Sequence, residues 1–295
     1  MSIMHISVPL IGIKEEKIAL GMALQLAADV KASVYSSFLR PAYTLSAMEK
    51  RFAHMERYDY YGYAHAVADF RNAFLRHEAE SEKSVQENFA TYTTELLKQY
   101  PHLQHVKTHW REDHVIATTQ DDYFNRLALL SDVLIISNAL RNDAYYENSL
   151  THFLLSSARP VIVVPHNIQI TPLAEAEIVI AWETNASTIR ALTMTMPFLK
   201  HAKAVQLAPF GTMSGPVALE EIQQFLIDHG VRAKILLPKE GNDTPEGLFL
   251  KTAEARNPAM IIMGGYAHSR LRDLVLGSST EFMLENAKVP LCLVH

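Results

Sequence analysis

The sequence predicts an α/β protein built as two tandem, doubly wound domains, each around a five-stranded parallel sheet, with a helical insert in the first. Three observations predict it. Ten short apolar runs fall into two groups of five, longer segments of helical period separate them, and the closing stretch of one group resembles that of the other. A parallel crossover needs about a dozen residues and usually forms a helix, so strands alternating with helices imply parallel sheets covered on both faces.

In chain order the first group of strands is predicted at 4–10, 32–38, 106–110, 132–136 and 160–164, the second at 178–182, 204–209, 233–237, 260–263 and 289–294. The repeat is clearest at the end of each group. Residues 132–138 followed by 149–164 parallel 260–265 followed by 279–294, each a strand, a loop, a helix and a proline-led final strand. The segment 165–175, with Pro165 and Pro172, reads as a linker between domains at 1–168 and 172–295. Between its second and third strands the first domain carries an insert at about 41–100. There Phe74, Leu75, Ala79, Phe89, Tyr92, Leu96 and Leu97 recur at helical spacing among Glu78, Glu80, Glu82 and Lys83, which predicts a long helix. The aromatic stretch 58–63 before it is expected to be helical or irregular and to pack the insert onto its own domain.

Composition narrows the function classes. With 295 residues, 48% of them hydrophobic, the chain can bury two cores, and a net charge of -5 argues against a nucleic-acid or anionic-membrane surface. No apolar run approaches the roughly 20 residues that span a bilayer, and the first residues run straight into a strand-like pattern, so a soluble cytoplasmic protein is expected. The single cysteine, Cys292, sits inside an apolar run and is read as a small buried hydrophobe. His102, His105, His109 and His114 cluster around one predicted strand, with His105 and His109 on one face if it is regular. Their only nearby carboxylates are Glu112 and Asp113, so they are read as scattered polar residues rather than a metal site.

The chemistry concentrates in the last quarter. The apolar strand at 259–263 runs into Gly264-Gly265, then a basic loop with Arg270 and Arg272, then Gly277-Ser278 at a helix start. Glycines let the backbone approach an anion, and the N–H groups of a helix start point at it with the positive end of the helix dipole: the layout of a phosphate cradle. Glu183, at the carboxyl end of the strand 178–182, could accept hydrogen bonds from a ribose or a base, or simply favour the helix start that follows. Ser278 and Glu281 have the spacing of a capping box, in which side chains rather than a ligand satisfy the helix amides and the carboxylate competes with a phosphate.

The stretch from Gly264 to Ser278, the ending 289–294, and the opening Ala181-Trp182-Glu183 with the helix from Asn185 resemble the universal stress protein family. The likeness covers the second half and, more weakly, the first outside its insert, so the chain resembles a tandem universal stress protein, with the related fold of the adenine nucleotide alpha hydrolases. The resemblance implies ATP or a related adenine nucleotide as ligand of the C-terminal domain. In the family's ATP-binding members a glycine, two residues, a glycine, nine residues, a glycine and a hydroxyl residue hold the phosphates, and an aspartate after the first strand meets the nucleoside. Here Gly264, Gly277 and Ser278 match; Ala267 stands at the second glycine and Glu183 at the aspartate. If that backbone needs a positive φ, alanine costs about 1 kcal/mol or more and its methyl intrudes on the phosphate. The first half has Ser137-Asn138 where the second has glycines and Leu10-Ile11-Gly12 where the acid is expected, so no nucleotide is expected there.

No nucleophile elbow, P-loop or adenylylating signature occurs, so an enzyme is the weakest class, with at most weak nucleotide hydrolysis. The reading is a stress-response binding or sensor protein. Its alternative is a nucleotide-free scaffold or interaction module whose site has decayed. In the family the domains pair through their final strands, which implies an intramolecular pseudo-dimer here; further homodimer formation and the protein partner stay open.

Overall fold

Two sets of five strands join into one sheet. The computed structural model describes residues 2–40, 60–112, 126–142, 149–211, 217–238, 241–265 and 277–295. The first set is β1 (His5–Leu10), β2 (Ser33–Phe38), β3 (Thr108–Trp110), β4 (Val133–Ser137) and β5 (Val161–Val164). The second is β6 (Glu177–Trp182), β7 (Ala204–Pro209), β8 (Ala233–Ile235), β9 (Met260–Gly264) and β10 (Leu291–Val294). Their order is β3-β2-β1-β4-β5-β10-β9-β6-β7-β8, so each set repeats the pattern third, second, first, fourth, fifth. Neighbours within a set are parallel. At the seam β5 and β10 run antiparallel, with Val163 opposite Leu291, Ile162 opposite Cys292 and Val161 opposite Leu293.

Helices cover both faces: α1 (Glu16–Val30), α2 (Tyr60–Gln99), α3 (Ser149–Ser157), α4 (Ala186–His201), α5 (Leu219–Asp228), α6 (Pro245–Glu254) and α7 (Ser278–Asn286). Alternation along the strands sorts the core into two layers. Ile6, Val8, Ile178 and Ile180 pack with Leu20 and Leu24 of α1, Phe89 and Leu96 of α2, Phe198 of α4 and Leu226 of α5. Leu134, Ile136, Val179 and Ile261 pack on the other face with Phe153 of α3, Phe249 of α6 and Met283 of α7. Strands buried on both faces read as unbroken apolar runs, which is why they stood out in the sequence. Cys292 is fully buried, and burial pushes its thiol up to about 12.

The linker packs tightly. A side-chain carbon on Gly21 of α1 would lie 2.3 Å from Ile170 Cδ1, so the glycine makes the seat for that residue. The amide of Leu173 donates to Asp29 Oδ2 of α1 at 3.1 Å, and burial raises the Asp29 pKa.

Of the two alternatives for the aromatic stretch before the insert's helix, the helical one holds from residue 60 on, because Tyr60 already opens α2; Tyr58 and Asp59 lie outside the described residues. Two other expectations need correction. At 40 residues α2 is about 60 Å long, against about 20 Å for β1. Among the described residues its C-terminal part carries the contact with the core: Val85, Phe89 and Leu96 are buried and Tyr92 and Leu97 pack on them, whereas Leu75 and Ala79 are exposed. The third strand begins only at Thr108, so His105 sits in the preceding turn and does not share a strand face with His109. His109 stacks on Tyr35 at 4.8 Å, His102 hydrogen-bonds Gln25 Oε1 at 2.8 Å, and His114 lies outside the described residues.

Candidate functional site

In an open α/β sheet, ligands bind beyond the carboxyl ends of the strands where the chain reverses its order. In the second half that point lies between β6 and β9, which are neighbours.

On the β6 side, Trp182 leads into Glu183 and then Asn185, the N-cap of α4. Asn185 Oδ1 accepts the Thr188 amide and the Ser187 hydroxyl, each at 2.8 Å, while Asn185 Nδ2 donates to Glu183 Oε2 at 2.8 Å. Half-buried Glu183 therefore stiffens the cap through Asn185 rather than capping the helix itself.

On the β9 side, Gly264 lies against this capped helix start. A side-chain carbon there would stand 2.5 Å from Ser187 Oγ and 2.8 Å from the Thr188 nitrogen, so the seat tolerates no larger residue without movement. The Gly265 amide donates to the Val294 carbonyl at 2.7 Å. That hydrogen bond continues the β9–β10 ladder and engages this N–H within the sheet. The loop with Ala267, His268, Arg270 and Arg272 lies outside the described residues.

The chain returns at Gly277, the N-cap of α7, with φ -62° and ψ 147°. Among the described residues no atom beyond its chain neighbours stands within 4 Å of where a Cβ would be, so neither backbone conformation nor crowding by them requires glycine here. This displaces the expected capping box by one position. Ser278 is the first helical residue, not the cap, and Gly277 has no side chain to cap with. The Glu281 amide bonds the Gly277 carbonyl at 2.9 Å, but the Glu281 carboxylate turns away to pair with Arg141, from the short turn after β4. The Ser279 hydroxyl donates to Glu246 Oε1 of α6 at 2.8 Å. Among the described residues no acceptor meets the amides of Ser278, Ser279 and Thr280. They are the donors that a helix start leaves without an intrahelical partner.

The first half treats the same place differently. Beyond β1, Gly12 takes φ +101°, a left-handed conformation that favours glycine. The carboxylate of Glu16, in the first turn of α1, accepts the Ile11 amide at 2.6 Å and the Gly12 amide at 2.9 Å. Glu16 is buried, and burial pushes its pKa up to about 7 against the opposing pull of those amides. The protein's own carboxylate thus occupies the amides at the mouth of that crevice. Sequence reasoning did not single out Glu16; its signal was an acid in the first turn of a helix just after a glycine turn. Among the described residues no group of three or more His, Cys, Asp or Glu side chains could hold a metal ion.

Residues 176–295 match the model of the universal stress protein family. That stretch is similar to the universal stress protein family. The likeness of fold extends over nearly the whole chain. A universal stress protein from Archaeoglobus fulgidus DSM 4304 superposes with a TM-score of 0.60 at 12% identity, covering 98% of this chain and 95% of that one. A functionally unknown protein from Pseudomonas aeruginosa PAO1 gives a TM-score of 0.51 at 13% identity, covering 99% of this chain and 92% of the other. No curated protein matches the sequence. The matched stretch holds Glu183, Gly264, Gly265, Gly277 and Ser278 around one end of its strands, and no helix among the described residues is long and apolar enough to cross a membrane.

Proposed function

We propose that the universal stress protein-like second half binds ATP or a related adenine nucleotide at the carboxyl ends of β6 and β9, and that the protein is a stress-response binding or sensor protein rather than an enzyme. In this reading Glu183 meets the nucleoside, Gly264 brings the two strand ends together, and the start of α7 receives the phosphates. Gly277 supplies the open approach, Ser278 a hydroxyl, and Ala267 and Arg270 belong to the loop between. The observation that carries the reading is the start of α7, where among the described residues no side chain caps the helix, no acceptor meets the first amides and no atom crowds Gly277.

A second reading, a nucleotide-free interaction protein with a decayed site, has its own support. The Gly265 amide is taken by Val294, Glu183 is engaged by Asn185, and Gly264 is explained by packing alone. Equilibrium binding of labelled ATP to the wild type, Gly277→Glu and Ala267→Gly separates the two. Nucleotide binding requires a wild-type signal that Gly277→Glu abolishes, because a carboxylate then stands before the amides. No wild-type signal, with binding gained in Ala267→Gly, establishes decay.

A further inference from the structure

Glu281 lies only three residues beyond Ser278, about 4.5 Å along the axis of α7, so its carboxylate puts negative charge beside the amides proposed to receive phosphate. The structure shows what neutralises it. Arg141 comes from the other half of the chain, on the turn Asn138–Asn142 after β4, and its Nη2 pairs with Glu281 Oε1. The two side chains keep 16% and 38% of their exposure, so the pair is partly withdrawn from water and screened less than a surface pair. This explains how an acid can stand in the first turns of this helix without closing it to an anion.

We infer that Arg141 is a positioning residue for the anion site of the opposite half: it holds the Glu281 carboxylate and cancels its charge, so that the start of α7 presents a net positive field. The inference rests on the nucleotide reading above. It gives the first half, through Arg141, a part in ligand binding, and it commits the ligand to be a polyanion, whose affinity a neighbouring charge moves most.

The test is a double-mutant cycle on ATP affinity in the full chain, with thermal unfolding of each variant as a control for folding. Arg141→Met leaves Glu281 unpaired and is expected to weaken binding about five- to tenfold at low salt, the loss shrinking as salt rises. Adding Glu281→Gln to Arg141→Met is expected to restore affinity to within about twofold of wild type. A merely structural tether would stay broken in that double variant, so persistent weakness there overturns the inference, as does unchanged binding in Arg141→Met. If Arg141→Met does not fold, Glu281→Gln alone decides: it should bind ATP at least as tightly as wild type, and weaker binding overturns the inference. No ATP binding by the wild type overturns the nucleotide reading and this inference with it. Wild-type binding that Arg141→Met leaves untouched overturns the inference alone.

Discussion

The crevice beyond β1 and the crevice beyond β6 occupy equivalent places in the strand order, and the chain finishes them in opposite ways. In the first, a glycine with positive φ turns the backbone so that two amides face inward, and the buried carboxylate of Glu16 takes both. In the second, the acid after the strand is tied to an N-cap, and the helix entering from across the crevice begins at a glycine whose following amides meet no acceptor among the described residues. The lesson is that backbone donors at the mouth of such a crevice need an acceptor, and whether the protein's own carboxyl group supplies it separates a closed crevice from a receptive one.

The largest expected effect tests the closed side. Folded Glu16 keeps its proton up to about pH 7, while in the unfolded chain it loses it near 4.5, so ionisation counts against the native state. Its contribution to pH dependence is absent below about pH 4.5 and complete above about pH 7. Stability therefore falls as pH rises through that window, by up to about 3 kcal/mol. Urea unfolding at pH 5, 6, 7 and 8 should show this fall in the wild type and a flatter profile in Glu16→Gln; equal profiles would mean that Glu16 titrates normally and the crevice is wet. Next comes Gly264→Ala, which forces a methyl against Ser187 and Thr188 and should cost about 1–3 kcal/mol in urea unfolding. A cost below about 0.5 kcal/mol would show that the start of α4 can retreat. Asn185→Ala removes the cap of α4 and its hydrogen bond to Glu183, for a loss of about 1 kcal/mol, read as a lower unfolding midpoint. The smallest effect belongs to Gly277→Ala, within about 0.5 kcal/mol of wild type, because the site is open and the φ ordinary. A large loss there would mean that the loop closes onto residue 277 and the site is filled from within.

The α/β class was legible because strands buried on both faces must be apolar throughout, and residues such as those of β4 and β9 leave little doubt of strand. The insert was legible as a stripe, but its length was not. Tyr60 opens a helix that hydrophobic spacing located only from Phe74 onward, since tyrosines before it fit a loop as well. At the candidate site the residues that converge were readable and their duties were not. Gly264 announced close approach without saying that it was to Ser187 and Thr188, which precede it by more than seventy residues. Ser278 and Glu281 have the spacing of a capping box, but the helix begins one position earlier and neither side chain caps it, and helix ends are commonly uncertain by that much. The true partner of Glu281 lies 140 residues away, a separation over which local spacing carries no information. Position 267 and Arg270 lie outside the described residues.

The antiparallel seam between β5 and β10 has a thermodynamic consequence. Each of these strands hides the other's unpaired backbone groups, so melting either half would strip the survivor of a neighbour and lay bare a row of donors and acceptors. The penalty ties the fate of the amino-terminal domain to that of the carboxyl-terminal one. Calorimetry should accordingly record one cooperative endotherm, with van't Hoff and calorimetric enthalpies in agreement, rather than two peaks.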